Sequence, residues 1–338
     1  MYIHNIKHYY TVCRLNQIIF SLSLILYMVY TSIFHIVSRN FKLAQFMTIA
    51  AIMTVLFLSS ITLVNQVHTV PKANAELVDK FGVKMLYSTK PGSYEEWYMD
   101  MANPNDDKRF DPQNTITKNS DGSWKMKSDK VRMYIFTSTG YDKGKIATYD
   151  EKQLASKGYM QSPNDWKNVE MTGYIKLNAY SSSDDKFQWY NRGGRHIDPE
   201  PCEGTGYKGN LFYSGEVLFA KEQWHNRDGD GYVFTDHKDI GIDSIKGRWI
   251  GYKYVVYNFE QNGKTVVKME NWLDKNNDGN WIKVDENVDD GRWGDKGKKC
   301  RGAPDQIISW GGPIATFRWD NAKDVDFKNL SVREIQAQ

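Results

Sequence analysis

Residues 249–272 read WIGYKYVVYNFEQNGKTVVKMENW, and this stretch decides the fold class of the chain. Asn262-Gly263 is a dipeptide preferred in two-residue hairpin turns, because both of its residues tolerate a positive φ. The runs on either side, 249–257 and 266–272, are rich in aromatic and β-branched residues, which favour strands. The stretch is therefore predicted to form an antiparallel β-hairpin.

The same period of two runs through the rest of residues 76–338. In 169–177, apolar side chains at positions 169, 171, 175 and 177 alternate with glutamate, threonine, tyrosine and lysine. Further strand candidates are 131–136, 187–190, 216–219 and 327–335, and Asp-Gly pairs at 121–122, 230–231 and 278–279 mark turns. Helical periodicity is weak. The pattern predicts an all-β domain over 76–338, built as a sandwich of two packed antiparallel sheets.

Charge is distributed unevenly along the chain. The whole sequence carries a net charge of +3, yet residues 1–75 contain five Lys and Arg and no Asp or Glu. Residues 76–338 therefore hold 39 basic and 41 acidic residues, a net charge of −2. Because the positive excess belongs to an apolar leader, nucleic acid is not expected as a partner.

The leader, residues 1–75, contains two uncharged apolar stretches, 18–37 and 43–67, each long enough to cross a bilayer. The second follows Arg39 and Lys42 and precedes P-K-A-N-A at 71–75, which has the small residues of a signal-peptidase site. We expect an extracellular or cell-surface protein whose leader is a cleaved signal peptide. A retained transmembrane anchor is the alternative. The first apolar stretch does not fit the orientation that the second one implies, and translation starting near Met47 would explain this.

Two cysteines, Cys202 and Cys300, remain after the leader. An even pair in an exported protein predicts one disulfide, with two free buried thiols as the alternative.

Three short strings carry the most functional information: R-G-G-R-H at 192–196, E-Q-W-H at 222–225 and G-Y-K-Y-V-V-Y-N at 251–258. In this order they resemble the motifs of alginate-lyase-type polysaccharide lyases, which have the concanavalin A-like jelly-roll fold. Gln223 and His225 match that family's Gln-x-His strand, and Lys253 and Tyr257 match the Lys and Tyr of its third motif. The Glu of the first motif is absent, and Phe259 stands where the third motif ends in Gln.

The resemblance implies β-elimination on an acidic polysaccharide. Such a reaction needs a group that neutralises the carboxylate, a base and an acid, and no cofactor. Sequence and resemblance together assign a role to each of these residues. Arg192 and Arg195 hold substrate carboxylates, and Gln223 neutralises the carboxylate of the reacting sugar. His225 and Tyr257 act as acid and base, with Lys253 lowering the pKa of Tyr257 and His196 as a substitute base. The paired-carboxylate pattern of jelly-roll glucanases is not found. A non-catalytic glycan-binding or cell-surface sandwich is the alternative.

Aromatic residues near these strings are candidates for stacking on sugar rings. They are Trp189, Tyr190, Trp224, Tyr252 and Tyr254. Packing in the sandwich core is the alternative for each of them, because cores of this kind take up many aromatic rings.

A further string has the spacing of a calcium loop. Asp274, Asn276, Asp278 and Asp285 supply oxygen atoms at intervals that suit Ca²⁺, although the flanks are predicted strands rather than helices. Because of these flanks the string is interpreted as an acidic hairpin turn, and a loosely held Ca²⁺ is the alternative.

Overall fold

The computed structural model describes residues 77–92, 95–142, 160–193, 205–223, 231–294 and 306–336. These segments belong to one compact unit, residues 76–338. In them the chain forms sixteen strands and one short 3-10 helix, Pro104–Asp106. The search of the described segments for a helix long and apolar enough to cross a membrane finds none. The leader and both cysteines, Cys202 and Cys300, lie outside the described residues.

The strands, numbered in chain order, are β1 (Glu96–Tyr98), β2 (Phe110–Asp111), β3 (Ile116–Lys118), β4 (Trp124–Met126), β5 (Lys130–Phe136), β6 (Val169–Tyr180), β7 (Lys186–Gly193), β8 (Thr205–Phe212), β9 (Glu216–Gln223), β10 (Tyr232–Phe234), β11 (Lys238–Asp239), β12 (Trp249–Gln261), β13 (Lys264–Asp274), β14 (Ile282–Asp289), β15 (Ile314–Asp320) and β16 (Ala322–Glu334).

The strands form two antiparallel sheets of eight strands each. The first sheet has the order β14-β13-β12-β6-β16-β4-β3, with β1 also paired to β16. The second sheet has the order β10-β9-β8-β7-β15-β5-β2, with β11 also paired to β9. The predicted all-β jelly-roll sandwich is confirmed. Neighbours distant in sequence, such as β6 beside β16, show why no local signal could give the strand order.

The predicted hairpin is also present. Strands β12 and β13 pair from Gly251 with Asp274 to Gln261 with Lys264, and the two turn residues have φ of 53° at Asn262 and 73° at Gly263. Two consecutive positive φ values are what a tight turn matching the twist of the strands needs. Both strands extend beyond the predicted ranges.

The core lies between the sheets and is rich in large aromatic side chains. Trp189 of the second sheet lies 4.4 Å from Tyr252 of the first, measured between ring centroids, and 4.9 Å from Phe317. A Cβ at Gly209 of β8 would come within 2.6 Å of the Tyr252 hydroxyl and 2.5 Å of Tyr254. Glycine at this position therefore lets the two sheets approach each other.

Residues 77–92, here called the strap, cover part of the outer face of the first sheet. Phe81 and Leu86 pack in a cluster with Tyr174 and Trp281, and Leu86 and Tyr87 also pack against Val255 and Tyr257. Thr89 forms an isolated antiparallel bridge with Ile335. This part of the outer face is therefore covered by the protein's own chain.

Candidate functional site

The strands that carry the lyase-like strings lie in different sheets. Gln223 is the last residue of β9 in the second sheet, while Lys253 and Tyr257 lie on β12 in the first sheet. On β9, Phe219 packs in the core and Lys221 pairs with Asp289 across the sheets. Gln223 therefore points inward, since alternate residues of a strand share a face.

Lys253 and Tyr257 point the opposite way. Tyr252 and Tyr254, which alternate with them on β12, belong to the inter-sheet core. Lys253 and Tyr257 thus lie on the outer face of the first sheet. The structure does not bring Gln223 together with Lys253 and Tyr257, so this part of the predicted catalytic group is wrong. Similar spacing on two strands could not reveal that they belong to different sheets.

Lys253 is part of a buried charge cluster beneath the strap. Its ammonium lies 2.7 Å from Glu170 and donates to the Thr172 hydroxyl at 2.9 Å. The other oxygen of Glu170 pairs with Arg333 at 2.7 Å and accepts the backbone N–H of Tyr87 at 3.2 Å. Burial acts to raise the pKa of Glu170, but the charges of Lys253 and Arg333 outweigh it and lower that pKa. Lys253 therefore holds Glu170, the carboxylate that binds the strap, and is buried rather than presented to a substrate.

Tyr257 contacts a neighbouring cluster beneath the strap, built around Glu270. Its hydroxyl lies 3.5 Å from that of Tyr87, which donates to Glu270 at 3.0 Å. Trp272 donates to the same carboxylate at 2.8 Å. Only 7% of Tyr257 is exposed. The strap closes this face, which leaves the tyrosine without the access to a polymer that a catalytic acid or base needs.

Arg192 is buried rather than presented to a ligand. It has a φ of 69°, beside an irregularity in the pairing of β7 with β15. Its guanidinium donates to the carbonyl oxygens of Lys167 at 3.0 Å and Ile308 at 2.6 Å. The role predicted for Arg192, holding substrate carboxylates, is therefore wrong, because the bulge turns the side chain into the protein.

Three of the aromatic candidates belong to the core. Trp189, Tyr252 and Tyr254 are fully buried between the sheets, so the alternative of core packing holds for each. Their predicted role in sugar binding is wrong because they lie on the inner faces of β7 and β12. Tyr190, one residue beyond Trp189, is half-buried on the outer face of the second sheet.

Four predicted site residues lie outside the described residues: Arg195, His196, Trp224 and His225. Their roles stay predictions, as does the disulfide between Cys202 and Cys300.

The predicted calcium loop has the geometry of a hairpin turn. The carboxylate of Asp274 accepts the backbone N–H groups of Asp278 at 3.0 Å and Gly279 at 2.8 Å, and also the Tyr174 hydroxyl at 3.2 Å. Asp285, on β14, accepts Lys238 at 3.4 Å. Within the described segments no three His, Cys, Asp or Glu side chains are grouped as a metal site. The oxygens of Asp274 thus close the turn between β13 and β14, and with Asn276 and Asp278 they fit the acidic hairpin better than a calcium cage.

A groove opens instead on the outer face of the second sheet. It has a volume of about 270 Å³. Its lining residues come from β7, β8, β10, β15 and the turn before β7: Asp185, Lys186, Gln188, Lys208, Tyr232, Phe234, Arg318 and Asp320. The sequence strings singled out none of these residues.

Aromatic rings form one side of the groove. Tyr232 and Phe234 stack with centroids 6.0 Å apart and an interplanar angle of 12°, and 52% of Phe234 is exposed. Lys208 lies between two rings, with its ammonium 4.9 Å from the centroid of Tyr190 and 4.7 Å from that of Tyr232. It also pairs with Glu222 at 2.6 Å. Cation–π contacts and an ion pair thus fix the rings in place.

Charged and amide groups form the other side. Arg132 and Arg318 share the carboxylate of Asp320, at 2.9 Å and 2.7 Å. Burial acts to raise the pKa of Asp320, but the two guanidinium groups outweigh it and lower that pKa. Gln188 donates to the side chain of Asn210 at 2.7 Å. These contacts hold planar hydrogen-bonding groups rigidly beside the aromatic rings.

One signal in the sequence could have found this face. In 187–190 the residues alternate Phe, Gln, Trp and Tyr, so choosing Trp189 for the core places Gln188 and Tyr190 on the outer face. The remaining lining residues come from strands brought together only by the fold.

Comparison with known proteins does not assign the chain to a family. No family model matches it, and no curated protein matches it. Among solved structures it is similar to the carbohydrate-binding module CBM66 from Bacillus subtilis, at 13% identity and a TM-score of 0.35, over 67% of this chain and 95% of that one.

Two further structures show a similar likeness. The exoplasmic/lumenal domain of VIP36 gives 9% identity and a TM-score of 0.37, over 68% of this chain and 85% of that chain. A β-glucanase from Bacillus licheniformis gives 11% identity and a TM-score of 0.35, over 73% of this chain and all of that chain. At such values the ligands and activities of these proteins are not transferred to this chain.

Proposed function

We propose that the β-sandwich domain binds polysaccharide in the groove on the outer face of the second sheet. The observation that carries this is the stacked, partly exposed pair Tyr232 and Phe234 beside rigidly held guanidinium and amide groups. A sugar ring has apolar C–H faces that pack on aromatic rings and hydroxyl groups that exchange hydrogen bonds with planar polar side chains. The groove offers both kinds of contact side by side.

Binding is favoured over β-elimination by the chemistry of the groove. Burial raises the pKa of Tyr190 to about 12. Burial, reinforced by the charge of Glu222, also raises the pKa of Tyr232 well above its usual value. Both hydroxyls therefore stay protonated at neutral pH and donate hydrogen bonds rather than abstract a proton.

Lyase activity on an acidic glycan is the second candidate, and it rests on the order of the sequence strings. The tyrosine and lysine of those strings lie beneath the strap, so such an activity would depend on Arg195, His196 and His225. We also propose that the protein acts outside the cell or at its surface, on the evidence of its leader. Digestion of intact cells with an added protease tests this, because a domain that survives while the cells stay closed would contradict the location; N-terminal sequencing then separates a cleaved leader from a retained anchor.

A polysaccharide panel tests the proposed function. The full-length protein, held in mild detergent because of its apolar leader, is titrated with alginate, polygalacturonate, xylan and mixed-linkage β-glucan. Affinity is measured by calorimetry, while unsaturated products and reducing ends are followed in parallel. Binding without either product supports a binding domain. Unsaturated products would show a lyase, and reducing ends alone would show a hydrolase.

Phe234→Ala tests whether the groove is the binding site. We expect an affinity loss of about tenfold, since an aromatic contact contributes roughly 0.5–1.5 kcal/mol beyond the area it buries. Ile282→Ala on β14 is the matched control, because it also removes a large exposed apolar side chain but lies in the first sheet. An equal loss in both variants, or none in Phe234→Ala, would contradict the assignment of the groove.

A further inference from the structure

A single row of paired positions crosses the whole second sheet. The pairing of consecutive strands links one residue on each of the seven strands from β10 to β2. From Phe234 the row passes through Ala220 and continues to Lys208, Tyr190, Thr316, Tyr134 and Asp111. Ala220, Lys208 and Thr316 are buried, so the accessible surface of the row belongs to Phe234, Tyr190, Tyr134 and Asp111. On the last strand Phe110 packs in the core, so Asp111 lies on the outer face like the rest of the row.

A second row runs parallel to the first and is polar. It passes from Asn210 to Gln188, Arg318 and Arg132 through directly paired positions. Each residue is two positions from its neighbour in the first row, so the two rows lie side by side on the same face. Hydrogen-bonding groups therefore accompany the first row on the four strands β8, β7, β15 and β5, where Asn210 and Gln188 are buried and Arg318 and Arg132 are partly exposed.

Both ends of the first row open into cavities. The Phe234 end is the groove already described, with its volume of about 270 Å³. The Asp111 end is a wider depression of about 720 Å³, which Gln113 and Asn114 help to line. Gln113 is exposed and has a φ of 60°, its backbone N–H donates to Asp111 at 3.1 Å, and its side-chain amide nitrogen donates to the same carboxylate. A non-glycine residue at positive φ is uncommon, and it presents the Gln113 amide on a tight turn beside the row.

We propose that the two cavities are the ends of one extended track, and that the depression at Asp111, Gln113 and Asn114 is a second binding site for the same polysaccharide chain. This inference rests on the proposed function, which concerns the groove alone. Six spacings between neighbouring strands give the track a length of about 29 Å. A track of this length, open at both ends, fits the interior of a linear chain of several sugar units better than a single sugar or a chain end.

The track predicts that affinity depends on chain length. Oligosaccharides of two to eight units are prepared from every polymer in the panel that binds, and their affinities for the full-length protein are compared. We expect affinity to rise steadily until a fragment spans both cavities. Affinity that is already maximal for the dimer or trimer would overturn the track while leaving the groove in place. Failure of all four polymers to bind would overturn the proposed function, and the track with it.

Gln113→Gly locates the second site. Glycine suits the positive φ, so the variant removes the amide without straining the turn. The affinity ratio of the octamer over the dimer should fall by about threefold to tenfold, as expected for the loss of one or two hydrogen bonds. Asn262→Gly is the matched control, since it removes an exposed amide at a φ of 53° in the hairpin of the first sheet. An unchanged ratio in Gln113→Gly, or an equal fall in both variants, would overturn the second site.

Discussion

The two outer faces of the sandwich carry the same kind of ion pair in opposite settings. On the first sheet, Lys253 and Glu170 lie 2.7 Å apart and are almost fully buried. On the second sheet, Lys208 and Glu222 lie 2.6 Å apart and are nearly as buried. The first pair is surrounded by Arg333 and backbone groups of the strap, whereas the second lies among tyrosine rings at a groove.

The difference teaches that a buried charge is not by itself a sign of a functional site. Around Glu170 the partners are supplied by the protein: two cations and two backbone N–H groups satisfy its oxygens. Around Lys208 the neighbouring rings and amides still face the cavity. What distinguishes the two faces is therefore the strap, which closes one of them.

The largest expected effect comes from breaking the closed face. Glu170→Gln leaves Lys253 and Arg333 buried without their carboxylate, and we expect the free energy of unfolding to fall by about 3–5 kcal/mol. Urea unfolding of the full-length protein measures this. Glu286→Gln is the control, because its carboxylate pairs with Lys283 on the same sheet but is 47% exposed, and a loss below about 1 kcal/mol is expected. Similar losses in the two variants would show that the cluster under the strap is not the principal anchor.

Asp165 is a second buried carboxylate, and its surroundings differ from those of Glu170. Asp165 accepts the backbone N–H of Gln161, and burial, with a smaller contribution from nearby Glu95, raises its pKa to about 6. A carboxyl whose pKa is raised by folding stabilises the protein most below its unfolded value near 3.8, and this contribution is lost as the pH rises through about 6. The pKa values of Asp165 and Glu170 are thus shifted in opposite directions, because Lys253 and Arg333 lie against Glu170 whereas the charge near Asp165 is that of Glu95.

Asp165→Asn should remove this dependence. We expect the variant to be more stable than the parent protein by on the order of 2 kcal/mol at pH 8 and nearly equal to it at pH 4. Urea unfolding at the two pH values measures the difference. A stabilisation of the same size at both pH values would contradict the assignment, since it would not come from the ionisation of Asp165.

The smallest expected effect concerns the open face. The double variant Lys208→Met and Glu222→Gln removes both charges together, so no charge is left buried and unpaired, and stability should change by less than about 1 kcal/mol. Polysaccharide affinity should fall by about threefold to tenfold, because the cation that fixes Tyr190 and Tyr232 is lost. The single variant Lys208→Met is the control for stability and should unfold more readily. Unchanged affinity in the double variant would show that the ion pair does not contribute to polysaccharide binding in the groove.

Local patterns predicted the strands well and their roles poorly. The runs at 169–177 and 249–272 are strands as expected, because alternation and an Asn-Gly turn are properties of a few neighbouring residues. Gln223, Lys253 and Tyr257, which match the lyase motifs, are not brought together, for a different reason. Two strings with suitable spacing carry no record of whether their strands share a sheet or a face.

The residues of the groove also could not be identified from local sequence patterns. Gln188 and Tyr190 flank Trp189 on β7. A shift of one position along this strand therefore exchanges a core residue for two residues of the outer face, of which Gln188 lines the groove. Phe234, Lys208 and Arg318 lie on strands that become neighbours of this position only through pairing across the sheet.

By itself the sequence determined that the chain after the leader folds as a two-sheet β-sandwich with a tight hairpin at Asn262-Gly263, and that its slightly acidic composition gives no general attraction to nucleic acid. Only the tertiary structure decided which face of each sheet is open. The strap at 77–92 reaches its place through Glu170 and Arg333, which lie far from it along the chain. A strand with two polar or mixed faces carries no local information about what will cover it, because that depends on contacts between segments distant in sequence.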